Sequence, residues 1–264
     1  MKPLCKSHYG GIMTGSTIDV PAGGYRYIPG VFQYSAGVQA LDGYQIERVA
    51  FHRPVPLAEG FAFIERFMAT EEIPLTAFCA CELRSPAPFA DAGFVAFNRH
   101  YCGTLERWGV MRDDKNPVAR SNVCPEQHKP LEPSFHAFCF ARPVPAASGS
   151  FVIAGSGEAE EGHASYQERT VRFGEISPSA MREMGIYVLG RMEERMAAIG
   201  ATWADTTATH VYTVNDLYPF LAEEIVRRGA AEQGLIWHFA RPPVIGLEYE
   251  MDCRSVPVEH RVRL

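Results

Sequence analysis

The feature that most constrains this chain is a succession of local signals that occurs twice. Residues 141–150 read ARPVPAASGS, a Pro/Ser/Gly-rich stretch without an apolar period, and the same order stands on either side of it. Before it, residues 45–51 (QIERVAF) alternate like a strand, residues 54–57 turn, and residues 58–68 carry a helical pattern. Residues 76–83 (TAFCACEL) read as a buried strand, Pro88-Phe89 as a turn, and residues 90–108 as a second helix ended by Gly109. After it, residues 150–154 (SFVIA) form a strand running into a glycine turn at Gly155-Ser156-Gly157. Ser177 as N-cap and Pro178 at the first helical position open a helix to Ile199, with Gly200 beyond its end. Residues 205–214 are a strand rich in β-branched residues, and Asn215 or Asp216 caps a last helix. Pro-Phe recurs at 88–89 and 219–220, and Ala-Arg at 119–120 and 240–241. Each half is therefore predicted to be an α+β unit, a mixed sheet with two helices on one face. The expected divisions are 1–140, a linker at 141–150, and 151–264.

At 264 residues the chain is long enough to bury a sizeable core. Hydrophobic residues make up 47% and charged residues 21%, the balance of a globular chain and not a disordered one. Lys and Arg total 25 against 31 Asp and Glu, a formal charge of -6 with no basic run, which argues against nucleic acid. No apolar run reaches the roughly 20 residues of a membrane helix. Residues 1–11 hold Lys2, Lys6 and His8 without an apolar export core. A cytoplasmic protein that engages neither nucleic acid nor membrane is expected.

Seven Cys and nine His show no CxxC, HxxxH or HExxH spacing, so neither a disulfide framework nor a metal centre is expected. Cys79 and Cys81 alternate in an apolar run and are predicted to share one strand face. The glycines at 155, 157 and 162 open no helix, so they are read as a turn, and there is no phosphate loop or GxSxG elbow. Met181, Met184, Tyr187, Val188, Met192 and Met196 form a helical core stripe.

Two arginines stand out. Arg120 in NPVARSNV and Arg241 in HFARPPVIG each occupy the start of a strand, where a planar guanidinium matches a carboxylate in a bidentate way. The competing reading is an ion pair that locks the strand. Tyr34 in FQYSAGV and Asn98 in FNRHY are polar groups amid apolar runs, open to either a core hydrogen bond or a ligand contact.

FQYSAGV at 32–38, Phe89…Asn98…Tyr101, PVARSNV at 117–123, FVIAGSG at 151–157, VYTVNDLYPF at 211–220 and FARPPVIGLEYE at 239–250 together resemble the reactive-intermediate (imine/enamine) deaminase family, RidA/YjgF. More narrowly, FCACELRSPAPF at 78–89, NPVARSNVCP at 116–125 and EPSFHAF at 132–138 look like the two-module 2-aminomuconate-type deaminases of nitroaromatic breakdown.

The resemblance implies two tandem chorismate-mutase-like modules. It also implies a hydrolytic deaminase of 2-aminomuconate-type enamine dicarboxylates, needing no metal or organic cofactor. A general 2-imino acid hydrolase and a non-catalytic binding module are the alternatives. By the same resemblance an Arg grips the substrate carboxylate, which maps to Arg120 and Arg241, and Tyr34 matches a pocket Tyr. Asn122 and Ser134 are implied as further substrate contacts. The family's Glu maps to Glu248 or, with a two-residue slip, to Glu250. In the first half the matching strand reads Ser134-Phe135-His136. Either His136 substitutes as an unperturbed base, or the working cleft combines both halves. The implied partner is a second copy of the chain, a homotrimer in preference to a monomer.

Overall fold

The computed structural model describes residues 17–161 and 166–264. Cys5, Gly162 and the stretch 1–11 read for an export signal lie outside the described residues. In chain order the elements are β1 Ile18–Val20, β2 Tyr25–Ile28, β3 Gly37–Ala40, β4 Tyr44–Pro56, α1 Leu57–Thr70, β5 Phe78–Arg84, α2 Asp91–Arg107, β6 Ala119–Pro125 and β7 Ser134–Pro143. Then follow β8 Phe151–Gly157, α3 Pro178–Ala198, β9 Ala208–Tyr212, α4 Tyr218–Phe220 with a π-helical continuation over Leu221–Val226, β10 Ile236–His238, β11 Ala240–Arg241, β12 Glu250–Ser255 and β13 Val258–Val262.

The strands form a seven-stranded sheet, β1-β2-β3-β8-β12-β9-β10, and a six-stranded sheet, β11-β6-β5-β7-β4-β13. The runs β6-β5-β7-β4 and β10-β9-β12-β8 have one order and one mix of directions. Their first pairs are parallel and their remaining pairs antiparallel. Three pieces cross between the halves. β3 pairs antiparallel with β8, setting Gly37 opposite Ile153. β11 pairs with β6, and β13 runs parallel to β4.

Four layers result. The sheets meet face to face through Tyr25, Val38, Ile46, Cys79, Ala119 and Ala154. On the outer face of the six-stranded sheet, Ile64 and Met68 of α1 and Tyr101 and Leu105 of α2 pack on Leu83, Phe135 and Phe138. On the outer face of the other sheet, α3 lays down Met181, Met184, Val188, Met192 and Met196 as the predicted stripe, and Tyr187 packs at its edge. The central strands, such as β5 and β8, are covered on both sides, which is why they read as near-continuous apolar runs, whereas the edge strands β1, β10 and β13 are largely exposed.

Several local expectations shift. Pro54 does not turn the chain: β4 runs on to Pro56, and the register against β7 slips between Ala50 and Val55. A bulge absorbs the prolines that cannot donate to the ladder. Cys79 and Cys81 face opposite layers, the sheet–sheet core and the α1/α2 core. A register shift between Phe78 and Ala80 breaks the period of two, so their predicted shared face is corrected. Gly155-Ser156-Gly157 is the end of strand β8 and not a turn. Ser177 caps α3 by accepting the Ala180 N–H at 3.3 Å, and Gly109 and Gly200 adopt positive φ, as predicted. Asp216 accepts the Tyr218 N–H at 3.0 Å, just before the last helix.

Candidate active site

The site begins with the period of two along β6. Ser121 points between the sheets and donates to Asp252 Oδ2 at 2.5 Å. Arg120 therefore leaves the opposite face, toward α2. There its guanidinium carbon lies 4.9 Å from the Tyr101 ring centroid, 5.3 Å from Tyr34, 5.7 Å from Phe97 and 6.0 Å from Phe94. The side chain is buried, and none of Nε, Nη1 and Nη2 has a hydrogen-bond partner. Aromatic faces stabilise the cation, but five N–H donors remain unsatisfied. Two residues on, Asn122 accepts from Ser85 Oγ at 2.9 Å, while its buried Nδ2 is also unpartnered. Both donors face a narrow cleft that opens to solvent.

The other wall comes from the second half of the chain. Gly155 and Gly157 of β8, Ala159, Glu161, Tyr166, Val244, Leu247 and Glu250 complete the lining with Tyr34 and Phe94. A Cβ on Gly155 would collide with Glu250 Oε1, so the glycine is what lets that carboxyl enter. Burial raises the Glu250 pKa well above the carboxylate range, and the nearby Asp252, Glu158 and Glu161 add to it. Burial thus biases Glu250 toward its protonated form, and the Arg120 cation beside it opposes that shift. Behind it, fully buried Glu158 accepts the backbone N–H groups of Glu248 and Tyr249 at 2.5 and 3.1 Å. Desolvation still pushes its pKa up to about 7.

Tyr34, Arg120, Asn122 and Glu250 are brought together in this cleft; the other four predicted residues are not among its lining. Glu248 turns away to Asn215 Nδ2 at 3.1 Å and to Arg241 Nη1 at 3.2 Å, so the register with the two-residue slip is the one that reaches the cleft. Arg241 is 38% exposed and pairs with Glu126 as well, at 3.4 Å. The ion-pair reading thus holds for Arg241 and fails for Arg120. Topology is the cause: β11 leaves the second half's sheet and pairs with β6, so Arg241 does not repeat the surroundings of Arg120. Ser134 donates to its near neighbour, the Glu132 carbonyl, at 2.8 Å. His136 lies 3.9 Å from Glu82, and desolvation and the Arg84 guanidinium lower its pKa to about 3. It is not the unperturbed base expected from the sequence. Asn98 makes the core bond, donating to the Phe94 carbonyl at 2.7 Å.

Sequence reasoning missed Glu158, Glu161, Tyr166 and Arg195. No local signal singles out Glu158 or Glu161, and only the fold buries the first and sets the second in the cleft lining. The glycines at 155 and 157 carried the usable signal, since glycine inside a strand marks a close approach.

Residues 17–260 match the family described as 2-aminomuconate deaminase CnbZ. A 2-amino-5-chloromuconate deaminase of Comamonas testosteroni is 52% identical over 235 residues, 88% of this chain and 94% of that protein. The strands and loops that build the cleft all lie within the matched span, and the chain belongs to the 2-aminomuconate deaminase family CnbZ.

Proposed function

We propose that this enzyme is a hydrolytic deaminase of 2-aminomuconate-type enamine dicarboxylates, forming the 2-oxo or 2-hydroxy diacid and ammonia in the breakdown of aromatic compounds. One observation carries the reading: the buried Arg120 guanidinium faces the cleft with no protein partner. A carboxylate next to the nitrogen-bearing carbon would satisfy that fork and the free Asn122 N–H together.

Such a clamp orients an electrophile that is already reactive, where positioning supplies much of the rate. The enamine gains a proton on carbon and becomes a 2-iminium. Water then adds to C2 and gives up a proton, nitrogen gains one, and ammonia departs as the C2 hydroxyl gives up its own proton to leave the 2-oxo group. Glu250, biased toward its protonated form by burial, is proposed to give up and recover these protons in turn. His136 takes no part.

The matching runs β6-β5-β7-β4 and β10-β9-β12-β8 support the finer reading of two chorismate-mutase-like modules within the RidA/YjgF family. Among the described residues no helix is long and apolar enough to cross a membrane, in keeping with a cytoplasmic enzyme. A homotrimer is proposed with it, and native mass measurement tests that separately.

The deciding experiment follows ammonia release from freshly generated 2-aminomuconate. Rapid release by the wild type, and loss of kcat/KM on the order of a hundredfold or more in Arg120→Ala, is the expected result. Folded wild-type protein that releases no ammonia overturns the proposal. Faster turnover of small amino-acid-derived imines would move the substrate class to the general imine hydrolase.

A further inference from the structure

Beside Arg120, and sharing Tyr34 with its aromatic surroundings, lies a second polar assembly that the carboxylate clamp does not use. Arg195, buried on α3, donates through Nη1 to the Ala154 carbonyl of β8 at 2.9 Å. Through Nη2 it donates to Glu161 Oε1 at 2.8 Å. The same oxygen accepts the hydroxyl proton of Tyr34 at 3.1 Å. Glu161 and Tyr34 both line the cleft. Helix α3 and strand β8 of the second half thus orient a phenol of the first.

A carboxylate engaged by a guanidinium accepts and cannot donate, so the single phenolic proton is committed to Glu161. What remains for a ligand is the acceptor side of the Tyr34 oxygen. We propose that the Arg195–Glu161–Tyr34 relay makes the Tyr34 hydroxyl an obligate acceptor that reads the N–H of the substrate's 2-amino or 2-imino group. Tyr34 touches substrate; Glu161 and Arg195 are positioning residues. The inference rests on the deaminase reading and deepens it. A 2-amino or 2-imino group brings an N–H to this acceptor, whereas the 2-oxo product brings a second acceptor and leaves it unpaired. A site built around a buried hydrogen-bonding group rejects an analogue that cannot complete the bond. The relay therefore favours binding of substrate over retention of the oxo product.

The test uses Tyr34→Phe, Glu161→Gln and the double variant in the full chain. Tyr34→Phe keeps the ring over Arg120. Glu161→Gln keeps the shape but lets the amide donate to Tyr34, which frees the phenolic proton to point outward. Each single variant is expected to raise KM for 2-aminomuconate roughly ten-fold with little change in kcat, the signature of lost uniform binding. The double variant should be no worse than either single one, because both remove one interaction. The ratio of inhibition constants for 2-oxoadipate and 2-aminoadipate, a stable oxo/amino pair, should fall toward one in all three. A merely structural defect would weaken both inhibitors equally and leave that ratio in place. Unchanged KM and ratio in Tyr34→Phe, or multiplicative losses in the double variant, overturn the relay while ammonia release by the wild type leaves the deaminase reading standing. No ammonia from the wild type removes both.

Discussion

A guanidinium with all three nitrogens unpaired inside a protein is unfavourable until an anion arrives, and this sets what substitutions at the clamp should do. Arg120→Met is expected to abolish turnover while leaving stability unchanged or raised by about 1–2 kcal/mol, because it removes a buried charge that has no hydrogen-bonded partner and loses only its contacts with aromatic faces. Urea denaturation beside ammonia release checks both halves of that expectation. Glu158 gives a pH signature. Its carboxyl holds a proton up to about 7 in the native state but releases it near the ordinary 4.5 when unfolded. The unfolded state thus binds fewer protons between those limits, and stability falls as pH rises from about 4.5 to 7, then levels off. Up to about 3 kcal/mol is at stake for this group, and Glu250 acts in the same direction. Glu158→Gln, neutral at every pH, should flatten the profile measured by denaturation at pH 5 and pH 8; an unaltered slope contradicts the assignment.

At the scale of elements, β8 and β13 matter most. β8 lets the Glu250 carboxyl in only because residue 155 has no side chain. Gly155→Ala should lower kcat/KM by at least about ten-fold, given that misplacements near 1 Å are costly, while the circular dichroism spectrum stays native. β13 covers the edge of β4 and supplies Glu259, which accepts from Arg48 at 3.1 Å and Arg254 at 2.9 Å. Arg48 also forks onto Glu82 at 2.6 and 3.0 Å, so truncation after Val256 removes only part of that network. Since Glu259 is 39% exposed, the expected loss is about 2 kcal/mol and not the 3–5 of a fully buried pair. A midpoint unchanged in urea would show that the strand is dispensable.

For the whole molecule, the crossings decide how the halves depend on each other. β1–β3 belong to the sheet of the second half, and β11 and β13 to the sheet of the first. Chains cut between residues 146 and 147 should be insoluble or unfolded apart, because each would expose a sheet face meant for the other. Co-expressed, the two pieces are expected to assemble and regain ammonia release. Soluble, cooperatively folding single halves would refute this. The cleft takes its cation from one half and its carboxylates from the other, so titration calorimetry should find one dicarboxylate per chain.

The order of elements, the helix boundaries at Ser177, Gly109 and Gly200, the α3 methionine stripe and the singling out of Arg120 and Tyr34 were legible in the sequence. They follow from capping, periodicity and local residue choice, which act within a few residues. The choice between Glu248 and Glu250, the different fates of Arg120 and Arg241, and the placement of His136 outside the cleft lining were not. Each depends on which strand lies opposite which, and a shift of one residue or one crossover reverses the face a side chain shows. Local chemistry chose the residues; only the pairing of two sheets decided that an unpaired arginine, a buried glutamic acid and a braced tyrosine share one cleft.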